Sequence, residues 1–248
     1  MSELESPVLV HEAWKTLLPG LPVPADILMS WVTVLMVGGF VLLATRHLAL
    51  RPGRLQAALE CVWGWLDDLA LQVIGAERRP FLPLLATLFL FLAFGNLLGL
   101  VPGFKSPTSN LNVNAALALI VVVYAQAVGI REHGWLAYLK RFCGPPYWLA
   151  PLFILIRVIE QLARPLSLTM RLFGNIMAKE VVLGLLVYMT TVFFLSEDVA
   201  ARCLTVMPLL LRPLVILLGV LVSVIQALVF TMLAMVYIGE SVEEQHAG

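Results

Sequence analysis

A chain of 248 residues in which 60% are hydrophobic and 13% charged is too apolar for a soluble domain, where about a quarter of residues carry charge. Its 16 basic residues balance 16 acidic ones, so net charge draws it neither to nucleic acid nor to an acidic partner. With a mean hydropathy of +0.94 and several apolar runs at or beyond the ~20 residues that cross a bilayer, it reads as an all-α polytopic membrane protein.

Residues 1–26 form an acidic N-terminal segment (Glu3, Glu5, Glu12) without the pattern of a cleavable leader. The first span is about Ile27–Ala44, closed by Arg46, His47, Arg51 and Arg54. Leu55–Ile74 is amphipathic and carries Glu60, Asp67 and Asp68, which predicts a surface helix rather than a crossing. The second span is about Phe81–Val101 and the third about Leu111–Ile130, ahead of Arg131, Glu132, Lys140 and Arg141. Beyond Pro145 and Pro146 an apolar run extends from Trp148 to Leu195. As one helix it would be about 70 Å long, more than twice a hydrocarbon core of ~30 Å. It is therefore expected to be strongly tilted, broken near Pro165 or partly interfacial. Ser196, Glu197 and Asp198 make a polar turn, and Pro208–Tyr237 returns across the membrane to an acidic tail.

About five crossings and one surface helix result, the last two crossings long and tilted. They form a single membrane domain over 1–248, with 1–26 outside, 27–144 holding the first three spans and 145–248 a long helical hairpin. Basic residues fix the orientation. Arg46, Arg51, Arg54, Arg78, Arg79, Arg131, Lys140 and Arg141 share one side, against Lys15, Lys105, Arg202 and Arg212 on the other. The richer side is cytoplasmic, which puts the N-terminus outside and the C-terminus inside. Cys61, Cys143 and Cys203 fit no disulfide framework, and no internal repeat is visible.

Charge inside the apolar runs carries the chemistry. Arg171 stays protonated, and at the centre of a spanning helix it costs about 2.5–3.5 kcal/mol on insertion scales. Ser167 and Asn175 lie one turn to either side of it, on the same face. Arg157 and Arg164 precede it at steps of seven, where snorkelling with Glu160 as partner explains them. Glu180, nine residues after Arg171, points to nearly the opposite face. Gln226 stands alone in the final apolar run, where helix packing would account for it unless it faces Arg171. Asn96, with Ser106, Thr108, Ser109, Asn110, Asn112 and Asn114, makes a polar patch on the outer side of the second and third spans. A hydrated vestibule and an ordinary polar loop are equally good readings of that patch.

The stretch from Arg164 to Asn175 (RPLSLTMRLFGN) resembles the signature of subunit a of F-type ATP synthases. Glu180, Gln226 and Pro107–Asn112 (PTSNLN) continue the likeness, which covers about Ile27–Tyr237. The resemblance implies a stationary, non-catalytic ion-translocating subunit with two aqueous half-channels, its long hairpin facing a ring of c subunits. Arg171 would be the essential arginine, with Glu180 and Gln226 as its polar companions and Asn175 and Ser167 lining the pathway. Asn96, Asn110, Asn112 and Asn114 would mark an outer access path. It also implies partners, namely the c-ring, b subunits of a peripheral stalk and other ATP synthase subunits, in a bacterial inner membrane. Neither a cofactor nor a metal is expected, and no phosphate-cradling loop with a Lys-Ser/Thr end occurs. A proton or a sodium ion would satisfy the same logic. Two positions depart from the family pattern. Asn110 stands where many relatives have Asp, and Lys179 precedes Glu180, free either to pair with it or to snorkel outward. A voltage sensor would need a denser arginine series, and a secondary transporter a repeat of broken half-helices.

Overall fold

The computed structural model describes residues 25–46, 52–101, 104–134, 150–196 and 198–242, and every regular element among them is helical. In chain order these are α1 (Ala25–Thr45), α2 (Arg54–Val73), α3 (Leu82–Leu98), α4 (Leu111–His133), α5 (Ala150–Phe194), α6 (Val199–Leu204) and α7 (Val206–Val242). The acidic N-terminal segment, His47, Arg51, Pro102, Gly103, Lys140, Arg141, Cys143, Pro145, Pro146, Trp148, Glu197 and the tail beyond 242 lie outside the described residues, as do the side chains of Arg157 and Arg164.

Four segments are long and apolar enough to cross a membrane: Ile27–Thr45, Leu111–Arg131, Thr169–Phe194 and Arg202–Val242. α3 is the fifth apolar helix, and at 17 residues it is shorter than the run that predicted it. It spans about 25 Å, at the lower end of what a crossing needs. Its C-terminus is set by a close approach. A Cβ on Gly99 would stand 2.7 Å from the Ser106 Cβ and 3.0 Å from the Ser106 nitrogen, so a side chain there would collide with the returning chain. Around it the last turn tightens, with Leu100 N–H donating to the Leu97 carbonyl and Val101 N–H to that of Leu98.

α5 is one unbroken helix of 45 residues. The break expected near Pro165 does not occur. Proline removes one N–H from the ladder, and the helix continues through that single loss. The excess length over a single crossing precedes Thr169, where the membrane-compatible part begins.

Contacts divide the chain into two compact units, and both cut across the helices. One comprises Met1–Val37, Phe91–Asn110 and Leu172–Ala227, the other Gly38–Leu90, Leu111–Arg171 and Leu228–Gly248. In the second unit the amphipathic α2 buries Leu66 and Ala70, and Trp65 meets Phe89 of α3 edge to face at 5.6 Å. Phe81 meets Tyr124 of α4 in the same way at 6.3 Å. α7 passes the end of α2 so closely that a Cβ on Gly239 would stand 3.0 Å from the Val73 carbonyl oxygen. At that end Arg78 binds Asp67 through two parallel hydrogen bonds, one of them 3.0 Å from Nη2 to Oδ2. The bonded guanidinium holds the Asp67 carboxyl below its ordinary value.

The first unit is built from the inward faces of α1, α3, α5 and α7. Met29 and Thr33 come from α1, Leu92 and Asn96 from α3, Leu172 and Ile176 from α5, and Ser223 and Ala227 from α7, all buried. Glycine again permits a close crossing, since a Cβ on Gly219 would lie 2.7 Å from the Leu100 Cδ2.

Candidate ion-translocation site

Helical spacing sorts the polar residues of α5 between two faces. Leu172, Ile176, Lys179 and Leu186 follow one another at steps of four, three and seven, and all four are buried. Ser167, Arg171 and Asn175 follow at steps of four on a different face, and all three are exposed. At Gly174, one residue before Asn175, a Cβ would meet no atom within 4 Å. Glu180 is half-buried.

Within the first unit, Asn175 Nδ2 donates to Gln226 Oε1 over 2.8 Å, joining α5 to α7. The Gln226 carbonyl thus accepts from an amide one turn after Arg171. Gln226 itself is only 4% exposed, and its Nε2 has no hydrogen-bond partner among the described residues. A buried amide with an unused donor is costly in hydrocarbon, and it marks a place where a further acceptor would be welcome.

Lys179 points inward. It does not snorkel outward. Its Nζ turns into the first unit and donates to the main-chain carbonyl of Asn96, at 3.1 Å, and to Ser223 Oγ, at 2.8 Å. The two acceptors are themselves linked, with Asn96 Nδ2 donating to the Ser223 carbonyl and Ser223 Oγ to that of Asn96, both at 3.4 Å. On its other side, Asn96 Oδ1 accepts from Thr108 Oγ1 at 2.6 Å. Thr108 lies 2.7 Å from Ser106 Oγ, which reaches the Gly95 carbonyl at 3.1 Å. A buried polar thread therefore runs from Ser106 through Thr108 and Asn96 to Lys179 and Ser223.

The four asparagines expected along an outer path are divided between the two units. Asn96 is fully buried within this thread, and Asn110 is half-buried in the same unit. Asn112, exposed, and Asn114, buried, belong to the second unit. Ser106 and Thr108 join Asn96 in the interior, as the composition of the patch alone could not have told. Lys179 and Ser223 were missed as a pair. The apolar stripe of Leu172, Ile176 and Leu186 was the available signal for the lysine, because it shares that face. Among the described residues no three His, Cys, Asp or Glu side chains converge as they would around a metal.

Fold and site together define an all-α integral membrane protein that holds an arginine, a lysine, a carboxylate and paired amides on its two longest helices. The family described as ATP synthase A chain matches residues 27–239. The chain is 47% identical over 217 residues to ATP synthase subunit a 1 of Syntrophotalea carbinolica, covering 88% of this chain and 85% of that one. Against ATP synthase subunit a 1 of Pelobacter propionicus it is 43% identical, covering 88% and 87%. Against ATP synthase subunit a of Geobacter sulfurreducens it is 42% identical with the same coverage. The chain belongs to the subunit a family of ATP synthases.

Proposed function

We propose that this chain is the stationary ion-translocating subunit of a rotary ATP synthase, offering two aqueous half-channels separated by Arg171 against a ring of c subunits. The observation that carries this reading is an exposed guanidinium within the apolar segment Thr169–Phe194, flanked on its own face by Ser167 and Asn175. A ring carboxylate must be neutral, by protonation or by ion binding, to travel through lipid. Beside a fixed cation its ionised form is favoured, by about 1–3 pKa units. It therefore gives up its ion on one side of Arg171 and reloads on the other, while the guanidinium blocks a direct leak. Each charge moved across 100 mV supplies about 2.3 kcal/mol, so several are needed for each ATP. Glu180, Gln226 and Asn175 serve the path on this reading, with Asn96, Asn110, Asn112 and Asn114 towards its outer mouth.

The chain carries no ATP chemistry of its own on this reading; that work falls to partner subunits, and b subunits would form the peripheral stalk. The excess of basic residues on one side places the C-terminus in the cytoplasm and the N-terminus outside a bacterial inner membrane. The test is Arg171→Ala in the assembled complex, reconstituted in vesicles. ATP-driven pumping should be lost while the subunit remains inserted, and Arg171→Lys should be badly impaired because ammonium lacks the planar donors of guanidinium. Normal pumping by the alanine variant would overturn the reading.

A further inference from the structure

Lys179 is only 9% exposed, although its four-carbon stem is of the kind that lets an ammonium reach the headgroups. Burying a charge is unfavourable unless the site repays it in charge-specific contacts, and a neutral donor would serve as well if joining helices were the whole task. The two acceptors that receive it are a main-chain carbonyl and a hydroxyl, the hard oxygen ligands that also bind alkali-metal ions. Their mutual contacts hold them together independently of the lysine. Without Lys179 they would remain a pair of oxygens in a buried polar thread, next in sequence to the carboxylate of Glu180.

We propose that the Lys179 ammonium is a tethered cation that permanently fills an oxygen seat between Asn96 and Ser223, and so keeps alkali-metal ions out of the path that serves Glu180. This rests on the proposed function, and it deepens that function by making the stationary subunit selective for protons. A proton passes such a place because it binds a carboxylate covalently and cancels its charge. A sodium or potassium ion needs several oxygens at once and finds them occupied by a charge of its own sign that cannot diffuse away.

The assay is proton flux through the reconstituted complex at fixed potential, with choline salts replaced by sodium or potassium salts at equal ionic strength. Wild-type flux should be unchanged. In Lys179→Ala, and in Lys179→Gln, flux should fall as the metal ion is raised, by about twofold where the seat is half filled. Lys179→Arg should restore insensitivity. The glutamine amide keeps a neutral donor on a side chain one bond shorter while removing the charge, and it carries the test if the alanine variant fails to assemble. A purely structural lysine would leave the glutamine and arginine variants equally insensitive, and that result overturns the proposal. So does a wild-type flux depressed by either metal ion, a measurement that needs no variant. A wild-type complex that pumps sodium in place of protons also overturns it, whereas one that pumps neither ion would sink the proposed function itself.

Discussion

The hydrogen bond between Asn175 and Gln226 sets up an asymmetric pair of substitutions. Gln226 is buried, its Nε2 is already without a partner among the described residues, and its carbonyl accepts from Asn175 at 2.8 Å. Removing that donor by Asn175→Ala leaves a whole amide unmet, a loss of about 1–3 kcal/mol in a protein interior. Within membranes such bonds average about 0.6 kcal/mol and reach about 1.7, because the unfolded reference also finds partners. Alanine is the better helix former by up to about 0.7 kcal/mol, and this offsets part of the loss at an exposed position. Gln226→Leu deletes both halves of the unmet amide at similar volume and should be close to neutral. In that background Asn175→Ala should be neutral or slightly stabilising. The two effects of the same change should therefore differ by about 0.6–1.7 kcal/mol. Detergent-driven unfolding of the chain in bicelles, followed by tryptophan fluorescence, would measure all four species. If Asn175→Ala has the same effect in both backgrounds, within the ~0.3–0.5 kcal/mol scatter of independent sites, the two amides do not meet.

Three further outcomes follow from other parts of the molecule. Glu180→Gln should slow proton flux in vesicles without uncoupling it from ATP hydrolysis, since Arg171 still separates the two paths; unchanged flux and pH dependence would leave Glu180 a structural partner of Lys179. Gly99→Ala forces a methyl group against the Ser106 backbone and should destabilise the chain by about 1–3 kcal/mol in the same unfolding assay. Asp67 has its folded-state pKa below the ordinary 3.8, so its pairing with Arg78 contributes stability above that value and loses it as pH falls through the folded pKa. Protection of the amides around residues 67–78, taken relative to their intrinsic exchange at each pH, should accordingly fall on acidification in that window, and Arg78→Ala should abolish that fall.

Much of this architecture was legible as hydropathy. The apolar runs from Ile27, Leu111 and Pro208 became helices close to where they were drawn, and the charges of Leu55–Ile74 marked an amphipathic helix. What hydropathy could not settle depends on tertiary partners. Pro165 is a helix breaker on local grounds, yet α5 runs through it without a break. α3 stops at Leu98 because Ser106 comes back against Gly99, a contact between residues seven apart that no apolar count contains. Ser106, Thr108 and Asn96 read equally as a hydrated vestibule or a polar loop from composition, whereas their partners are one another. Lys179 shows the same limit. Its face was readable from Leu172 and Ile176, but Ser223 lies 44 residues away and is an unremarkable serine until the helices meet.

The hydroxyls of Ser106 and Thr108 are short of hydrogens. Two O–H groups serve three oxygen-to-oxygen contacts, to the Gly95 carbonyl, to each other and to Asn96 Oδ1. Two hydrogens fill two of those contacts at a time: both turned outward, to Gly95 and to Asn96, or both along the row in either direction. Passing from one arrangement to another takes only rotations about C–O bonds, with no heavy atom displaced. The row can therefore turn its polarity in place beside the lysine, at the scale of hydroxyl hydrogens alone.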